Sequence, residues 1–444
     1  MDMPHRGNLS TDGGEAPIVK ASARSESSHT KGHVVFVSRQ RIAGRTNGSS
    51  AYVLDLASAV RRAGFTPHLV QPSPDLLGRW PVMILRPETS VFESHAIRGV
   101  LRLGPLVISR DPRVGLGALR ALASRLGRRI GLTGEWLADR PRPYAVADRW
   151  TAADRAYVQR RVSGFADIMI ADYAFQAEAL DLCAGRPSAI VMHDLFHART
   201  AGAEGRDSVA SLDRDAEVAL LSRADAVIAI QAAEARFVAD YVAARAILAP
   251  MAAQPVARPQ PGDGNRLLFV GSNTAPNVVG LEWLFAHVWP ALRRQAPSIM
   301  LDVVGSVALG FTTGGAPGVV FHGQVDAVEP YYARAGIVLS PLTFGSGLKI
   351  KLVEALAQGK AIVATGVTLQ GVERECEGCV IRADDPDDFV AAILALADDR
   401  RRASLAAVAL ETAKRHFSPE ACHAQFTAWL EENRPSAIRR DRCV

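Results

Sequence analysis

The run Gly345-Ser346-Gly347 through Glu354 has the residue types and spacing to hold a phosphorylated ligand. A Gly-Ser-Gly turn feeding a helix expected over 348–358 exposes unpaired backbone N–H groups. The helix dipole adds about half a positive charge there. Lys349 and Lys351 bring two full charges into the same first turn, where the dipole disfavours cations unless an anion lies between them. Glu354 follows one turn deeper, and its carboxylate can accept two hydrogen bonds from a diol such as ribose. The plain alternative is a turn carrying two solvated lysines. In the first half, His193-Asp194 closes an apolar strand-like run, with His197 four residues on. An imidazole there can donate to a sugar hydroxyl or phosphate oxygen, or titrate near neutrality. Its alternative is a histidine that serves only the fold. Asn47-Gly48-Ser49 places backbone N–H groups before a helix expected over 52–62, or is simply a connecting turn.

Other chemistries lack their residues. There is no GxxxxGK[ST] loop, no GxGxxG after Val37 or Val270, and no GxSxG elbow. Asp384-Asp385-Pro386-Asp387-Asp388 reads as an N-cap with proline just inside a helix rather than a metal box. Cys376 and Cys379 form a CxxC without a partner pair at zinc spacing, so no metal is expected. Five cysteines in 444 residues make no disulfide framework, and the reducing cytoplasm is the expected compartment. A net charge of +5 is mild and gives no argument for nucleic acid. The stretch 102–142 is arginine-rich, with Leu116, Leu119, Leu122, Leu126 and Ile130 at helical spacing. It reads either as a basic amphipathic helix on an anionic membrane surface or as an ordinary surface helix with arginine stems over apolar area. No apolar run reaches the roughly eighteen residues of a membrane span.

These residues must be positioned by strands and helices in alternation. Residues 1–32 are polar and read as a disordered tail. From His33, short apolar runs alternate with helical stretches to about residue 250. Residues 251–265, rich in Pro, Gly and Ala, read as a linker. A second series spans 266–417, and a helix over 418–434 is expected to pack back on the first domain. Alternating strand and helix implies two mostly parallel sheets covered on both faces, an α/β class with ligands beyond the carboxyl ends of the strands. Those ends give way to small or polar residues: Gly271-Ser272 after Val270, the glycine turn after Leu339, and Thr365 after Ala364.

Phe269-Val270-Gly271-Ser272, Pro276-Asn277-Val278, Trp283 and Trp289-Pro290 resemble the opening of the second domain of family 4-type (group 1) glycosyltransferases. Pro341-Leu342 through Gly345-Ser346-Gly347, Lys351, Glu354-Ala355-Leu356-Ala357 and Gly359 continue the resemblance. It is looser in the first domain, around His193-Asp194. The resemblance implies a GT-B fold of two facing doubly wound, Rossmann-like domains. It also implies a nucleoside diphosphate sugar as donor substrate, retention of configuration, and no metal or other cofactor. By position it puts Glu354 at the donor ribose and His193 near the transferred sugar, and with Lys351 these are the expected catalytic residues. Gly271, Ser272, Asn277, Gly345, Ser346, Gly347 and Thr365 are the expected donor-side residues, and the residue reading puts Asn47, Gly48 and Asp194 on the acceptor side. Ser346 stands where many members have a first glutamate. Ser272 and Asn277 stand where many have an Arg/Lys pair, so Lys351 is expected to supply the missing charge. The expected acceptor is a sugar or a lipid-linked sugar of cell-surface polysaccharide or glycolipid assembly, reached from the cytoplasm with peripheral contact to an anionic membrane. A nucleotide-sugar epimerase of the same fold and a non-catalytic nucleotide-sugar-binding protein are the other two readings.

Overall fold

The computed structural model describes residues 30–73, 80–129, 145–183, 185–199, 212–311, 316–345 and 348–435. Ser346, Gly347 and residues 130–144 lie outside them, as does almost all of the expected tail. The first ten strands are β1 (His33–Val37), β2 (Thr66–Gln71), β3 (Val82–Ile84), β4 (Ser94–Ile97), β5 (Val100–Leu103), β6 (Leu106–Ser109), β7 (Ile168–Asp172), β8 (Ser188–Met192), β9 (Ala226–Ala229) and β10 (Arg245–Leu248). Seven of them form one parallel sheet in the order β10-β9-β8-β7-β1-β2-β4. The remaining six are β11 (Asp263–Val270), β12 (Met300–Val304), β13 (Val319–Gly323), β14 (Ala335–Ser340), β15 (Ala361–Ala364) and β16 (Ile381–Arg382). They form a second parallel sheet in the order β13-β12-β11-β14-β15-β16. This is the two-sheet α/β architecture the alternation implies.

The strands read as unbroken apolar runs because both faces are covered. All five residues of β7 and of β8 are buried. Strand order reverses between β1 and β7 in the first sheet and between β11 and β14 in the second. Open α/β sheets bind ligands at such reversals, beyond the strand C-termini. Leu56, Phe36 and Ile170 sit in the core on one face of the first sheet, and Phe426, Trp429 and Leu430 of the helix Ala424–Glu432 join that same core. That helix follows the second sheet in sequence yet completes the first. Arg245 pairs with Glu432, and Leu248 N–H donates to Gln425 at 2.9 Å.

Three features depart from the expectations. The first helix starts at Gly48, four residues early, because Asn47 caps it: Asn47 Oδ1 accepts Ser50 N–H at 2.8 Å and Ser50 Oγ accepts Asn47 N–H at 3.2 Å. Strand β11 starts at Asp263, inside the stretch expected to be linker, where Asp263 pairs with Ala335. Finally, β3, β5 and β6 form an unforeseen antiparallel sheet in the order β3-β6-β5, followed by the helix Pro112–Arg129.

Candidate active site at two facing helix N-termini

The first-domain half is built at the β1/β7 reversal. Strand β7 ends in Asp172, which is fully buried. One carboxylate oxygen accepts from Ser38 Oγ and from Gln40 Nε2 (2.6 Å), both just past the end of β1. The other lies 2.6 Å from His193 Nε2 at the end of β8. With two donors already on Asp172, the network assigns the His193 proton to Nε2, directed at the carboxylate. Nδ1 is left as the ring atom for other chemistry.

The imidazole is also clamped from both sides. Tyr173 stacks on it, with ring centroids 4.1 Å apart and an interplanar angle of 26°, and Tyr52 meets it edge-on at 5.6 Å. Each tyrosine is itself anchored. Tyr173 OH donates to Ser49 Oγ at 2.8 Å, and Tyr52 OH to the Ala249 carbonyl at 2.5 Å. Tyr173 holds φ +74° and ψ 149°, and is the single non-glycine residue with positive φ among those described. A side chain in that region costs on the order of 1–3 kcal/mol and persists where surrounding contacts over-determine it. Here the Ser49 bond and the His193 stack do so.

Glu234 lies behind this site, in the first turn of the helix Ala232–Tyr241, and accepts from Ile230 N–H and Gln231 Nε2 at 3.2 and 3.0 Å. Burial raises its pKa to about 7, and the Asp194 charge pushes the same way. A raised carboxyl pKa makes the fold bind a proton that the unfolded chain releases, so stability is full below about pH 4.5 and falls as pH rises through 7. The Glu234→Gln variant, fixed in the neutral form, is expected to match the wild type at pH 4 and to melt a few degrees higher at pH 8. Thermal midpoints across that range check it. Equal midpoints at pH 8 would contradict it. Asp194 accepts the following Leu195 N–H at 2.9 Å, and His197 Nδ1 lies 2.7 Å from Glu217.

The second-domain half is built on glycine-tight loops. Gly305, at φ +109°, closes β12 against the loop after β11, where a Cβ would stand 2.1 Å from the Gly271 carbonyl oxygen. Gly271 is therefore held backbone-to-backbone, with its N–H on the Val304 carbonyl at 2.9 Å. Asn277 Nδ2 donates to the Ser272 carbonyl at 2.9 Å and to Thr274 Oγ1 at 3.1 Å, so its amide braces the loop. Thr365 Oγ1 donates to the Leu342 carbonyl, tying the end of β15 to the turn that reaches Gly345. Gly345 itself has φ +124° and packs on Pro276.

The helix Ile350–Ala357 starts at this turn. Lys349 is its N-cap residue, half-buried, and its Nζ lies 3.4 Å from the Gly345 carbonyl; burial lowers its pKa from the ordinary lysine value. Lys351 Nζ lies 2.8 and 2.7 Å from the two oxygens of Glu354. The two residues assigned separately to anion and ribose thus hold each other in this structure, and a ligand must open or share that pair.

The halves meet where two helices begin. A Cβ on Gly48, the first residue of the helix Gly48–Arg62, would stand 3.8 Å from Ile350 Cδ1, and Ile350 packs on the first domain's core. Two helix N-termini therefore face the same place, beside His193 through Ser49 and Tyr173. The combined dipoles and Lys349 make it electropositive, suited to a multiply charged anion. The structure brings Gly48, His193, Gly345, Lys351 and Glu354 to this region. Asn47, Asn277 and Thr365 spend their side chains on bracing it. Sequence reasoning missed Asp172, Tyr173, Ser38 and Gln40. Their one available signal is a polar residue directly after an apolar strand.

The two doubly wound sheets have the GT-B fold. Residues 264–399 match the family model "Glycosyl transferases group 1", which bears out the resemblance over the second domain. A phosphatidyl-myo-inositol mannosyltransferase from Mycolicibacterium smegmatis is 31% identical over 178 residues, covering 38% of this chain and 46% of that protein. The chain spans less than half the length of the curated relatives it matches. Sucrose-phosphate synthase from Thermosynechococcus elongatus superposes with a TM-score of 0.59 at 17% identity, over 90% of this chain and 98% of that one. HepE of Anabaena, solved in complex with UDP, superposes at 0.53 and 15% identity, over 90% and 100%. At these identities the superpositions establish the fold. No helix among the described residues is long and apolar enough to cross a membrane.

Proposed function

We propose that the protein is a retaining glycosyltransferase that moves a sugar from a nucleoside diphosphate sugar to a sugar or lipid-linked acceptor in cell-surface polysaccharide or glycolipid assembly. The observation that carries this reading is the convergence of two helix N-termini, Lys349 and the clamped His193 at both sheet reversals. In the reaction, the glycosidic C–O bond of the donor breaks and its electron pair leaves on the diphosphate oxygen. Helix N–H groups, Lys349 and Lys351 stabilise that charge. The acceptor hydroxyl attacks from the same face, and its proton passes to the departing phosphate. His193, fixed by Asp172 and the two tyrosines, orients the transferred sugar. This scheme assigns no step to a metal.

The test is a thermal-shift panel of nucleoside diphosphates and nucleotide-sugars, with UDP first because a protein of this fold holds it. A ligand at a hundred times its Kd adds about 2.7 kcal/mol of apparent stability, so at least one member should raise the midpoint by several degrees. No shift with any member would sink the reading. Product analysis follows. Epimerised donor would make the protein an epimerase, and binding without turnover on any acceptor would make it a binding protein.

A further inference from the structure

The small antiparallel sheet has the wrong outer face for a surface exposed to water. Alternate residues of a strand point to opposite faces, and the outer face of a one-sided antiparallel sheet is ordinarily polar. The register pairs Val82 with Ile108, Ile84 with Leu106, Leu101 with Ile108 and Leu103 with Leu106. Those six residues share one face, and all are apolar. Met83 and Val107 point the other way, into a core with Leu85 and Ile97. Four of the six, on the two outer strands, are exposed, Ile84 by 65% and Leu103 by 57%, while Leu106 and Ile108 on the central strand are partly buried between them.

The helix Pro112–Arg129 repeats the inversion. It follows β6 and packs on it, turning Val114, Ala118 and Ala121 inward. Its large residues Leu116, Leu119, Leu122 and Leu126 lie on the outside, with Leu119 65% exposed. A solvated helix buries its leucines and shows its alanines, so this one is built for a second apolar phase. Trp80, half-exposed, flanks the sheet where an amphipathic ring suits a membrane–water boundary.

Charge decides what that phase is. Residues 80–129 hold nine arginines and three acidic residues, in a chain whose whole net charge is +5. Arg110, Arg113 and Arg120 are exposed beside the apolar face. A second copy of the chain would set these cations against their own kind. A bilayer with anionic headgroups takes the arginines at the phosphate level and the leucines at the acyl boundary.

We propose that the outer face of the β3-β6-β5 sheet, together with the leucine stripe of the helix Pro112–Arg129, is a docking surface for an anionic lipid bilayer. It rests on the proposed function only in making the bilayer the place where a lipid-linked acceptor is met. The experiment is co-sedimentation of the full chain with vesicles of phosphatidylglycerol and phosphatidylcholine, against vesicles of phosphatidylcholine alone. Two paired variants accompany it, Ile84→Ser with Leu103→Ser and Leu119→Ser with Leu126→Ser. All four positions are exposed, so the fold is retained, and thermal midpoints confirm this. The wild type should bind anionic vesicles at least about tenfold more strongly than neutral ones, and each variant pair should lose about tenfold or more. No binding to anionic vesicles, or variants that bind like the wild type, would overturn the surface. So would a wild-type dimer in sedimentation velocity that the variants abolish, which would assign the face to a second copy. UDP-induced thermal shift is read in parallel. Vesicle binding without any nucleotide shift would sink the proposed function and leave the surface standing; the converse result would do the opposite.

Discussion

Replacing Asp172 by Asn is expected to cut sugar transfer by about a hundredfold, within the range typical of misplacing a group that acts in the transition state. Nucleotide binding should stay within about twofold, because Asp172 is in the first domain and the proposed function puts the donor's phosphates on the second. The reason lies in the donor count. Ser38 and Gln40 both donate to one Asp172 oxygen, and His193 Nε2 meets the other. An asparagine must turn its carbonyl to the two fixed donors and present its NH2 group to His193. Nε2 then has to accept, the ring proton moves to Nδ1, and the face offered to the sugar changes from acceptor to donor. A buried donor–donor clash is the other outcome of the same substitution and costs about 1–3 kcal/mol in stability. Separating the two requires kcat and KM for transfer alongside the thermal midpoint. A fall in kcat at unchanged KM and near-wild-type midpoint supports the positioning role, whereas turnover within about twofold of wild type would remove Asp172 from the site.

The second large effect is expected at Lys351. Lys351→Ala should lower kcat for transfer by at least about tenfold, the low end for losing one electrostatic contact to developing charge. Lys351 faces both oxygens of Glu354, so two explanations compete. Its charge serves the leaving diphosphate, or it merely neutralises Glu354. An exposed pair of this kind contributes about 0–1 kcal/mol to stability, too little for folding to confuse the result. The double variant Lys351→Ala with Glu354→Gln, read against Glu354→Gln alone, decides between them. If Lys351 acts on phosphate, the double variant falls at least about tenfold below Glu354→Gln alone. A double variant no worse than Glu354→Gln alone would reduce Lys351 to a partner of Glu354. Lys349, more buried and closer to the turn, would then be the cation to replace next.

The parallel sheets were legible because β1, β7, β8 and β14 are apolar runs that end in, or run into, Ser, Asp or His, and burial on both faces imposes such runs. The helix Ile350–Ala357 was legible for a local reason, since a glycine turn before it and Gly359 after it mark its ends. The β3-β6-β5 sheet was not. Its strands have three or four residues, and apolar side chains occupy both faces, so the alternation that announces an antiparallel strand is missing. Its leucine helix was visible as periodic but ambiguous, because sequence shows a stripe without showing which way the stripe points. Asp172 was illegible for a different reason. An aspartate closing a strand looks like any strand end, and the two groups that give it meaning, Ser38 and Gln40, are 134 and 132 residues away. Asn277 and Thr365 show the converse. Their place after a strand end was legible, but their side chains are engaged by neighbours within the loop or by the adjacent strand's loop.

The helix Ala424–Glu432 has a consequence for biosynthesis. Phe426, Trp429 and Leu430 belong to the core that includes Phe36, Leu56 and Ile170, yet they are translated after the whole of the second sheet. Domains generally mature in the order they leave the ribosome. Here the order of completion is reversed: the second domain has every residue of its own core before the first does. The nascent first domain must wait with an uncovered apolar patch beside β10 and the helix Gly48–Arg62, and a message truncated before codon 424 would leave that patch open for good.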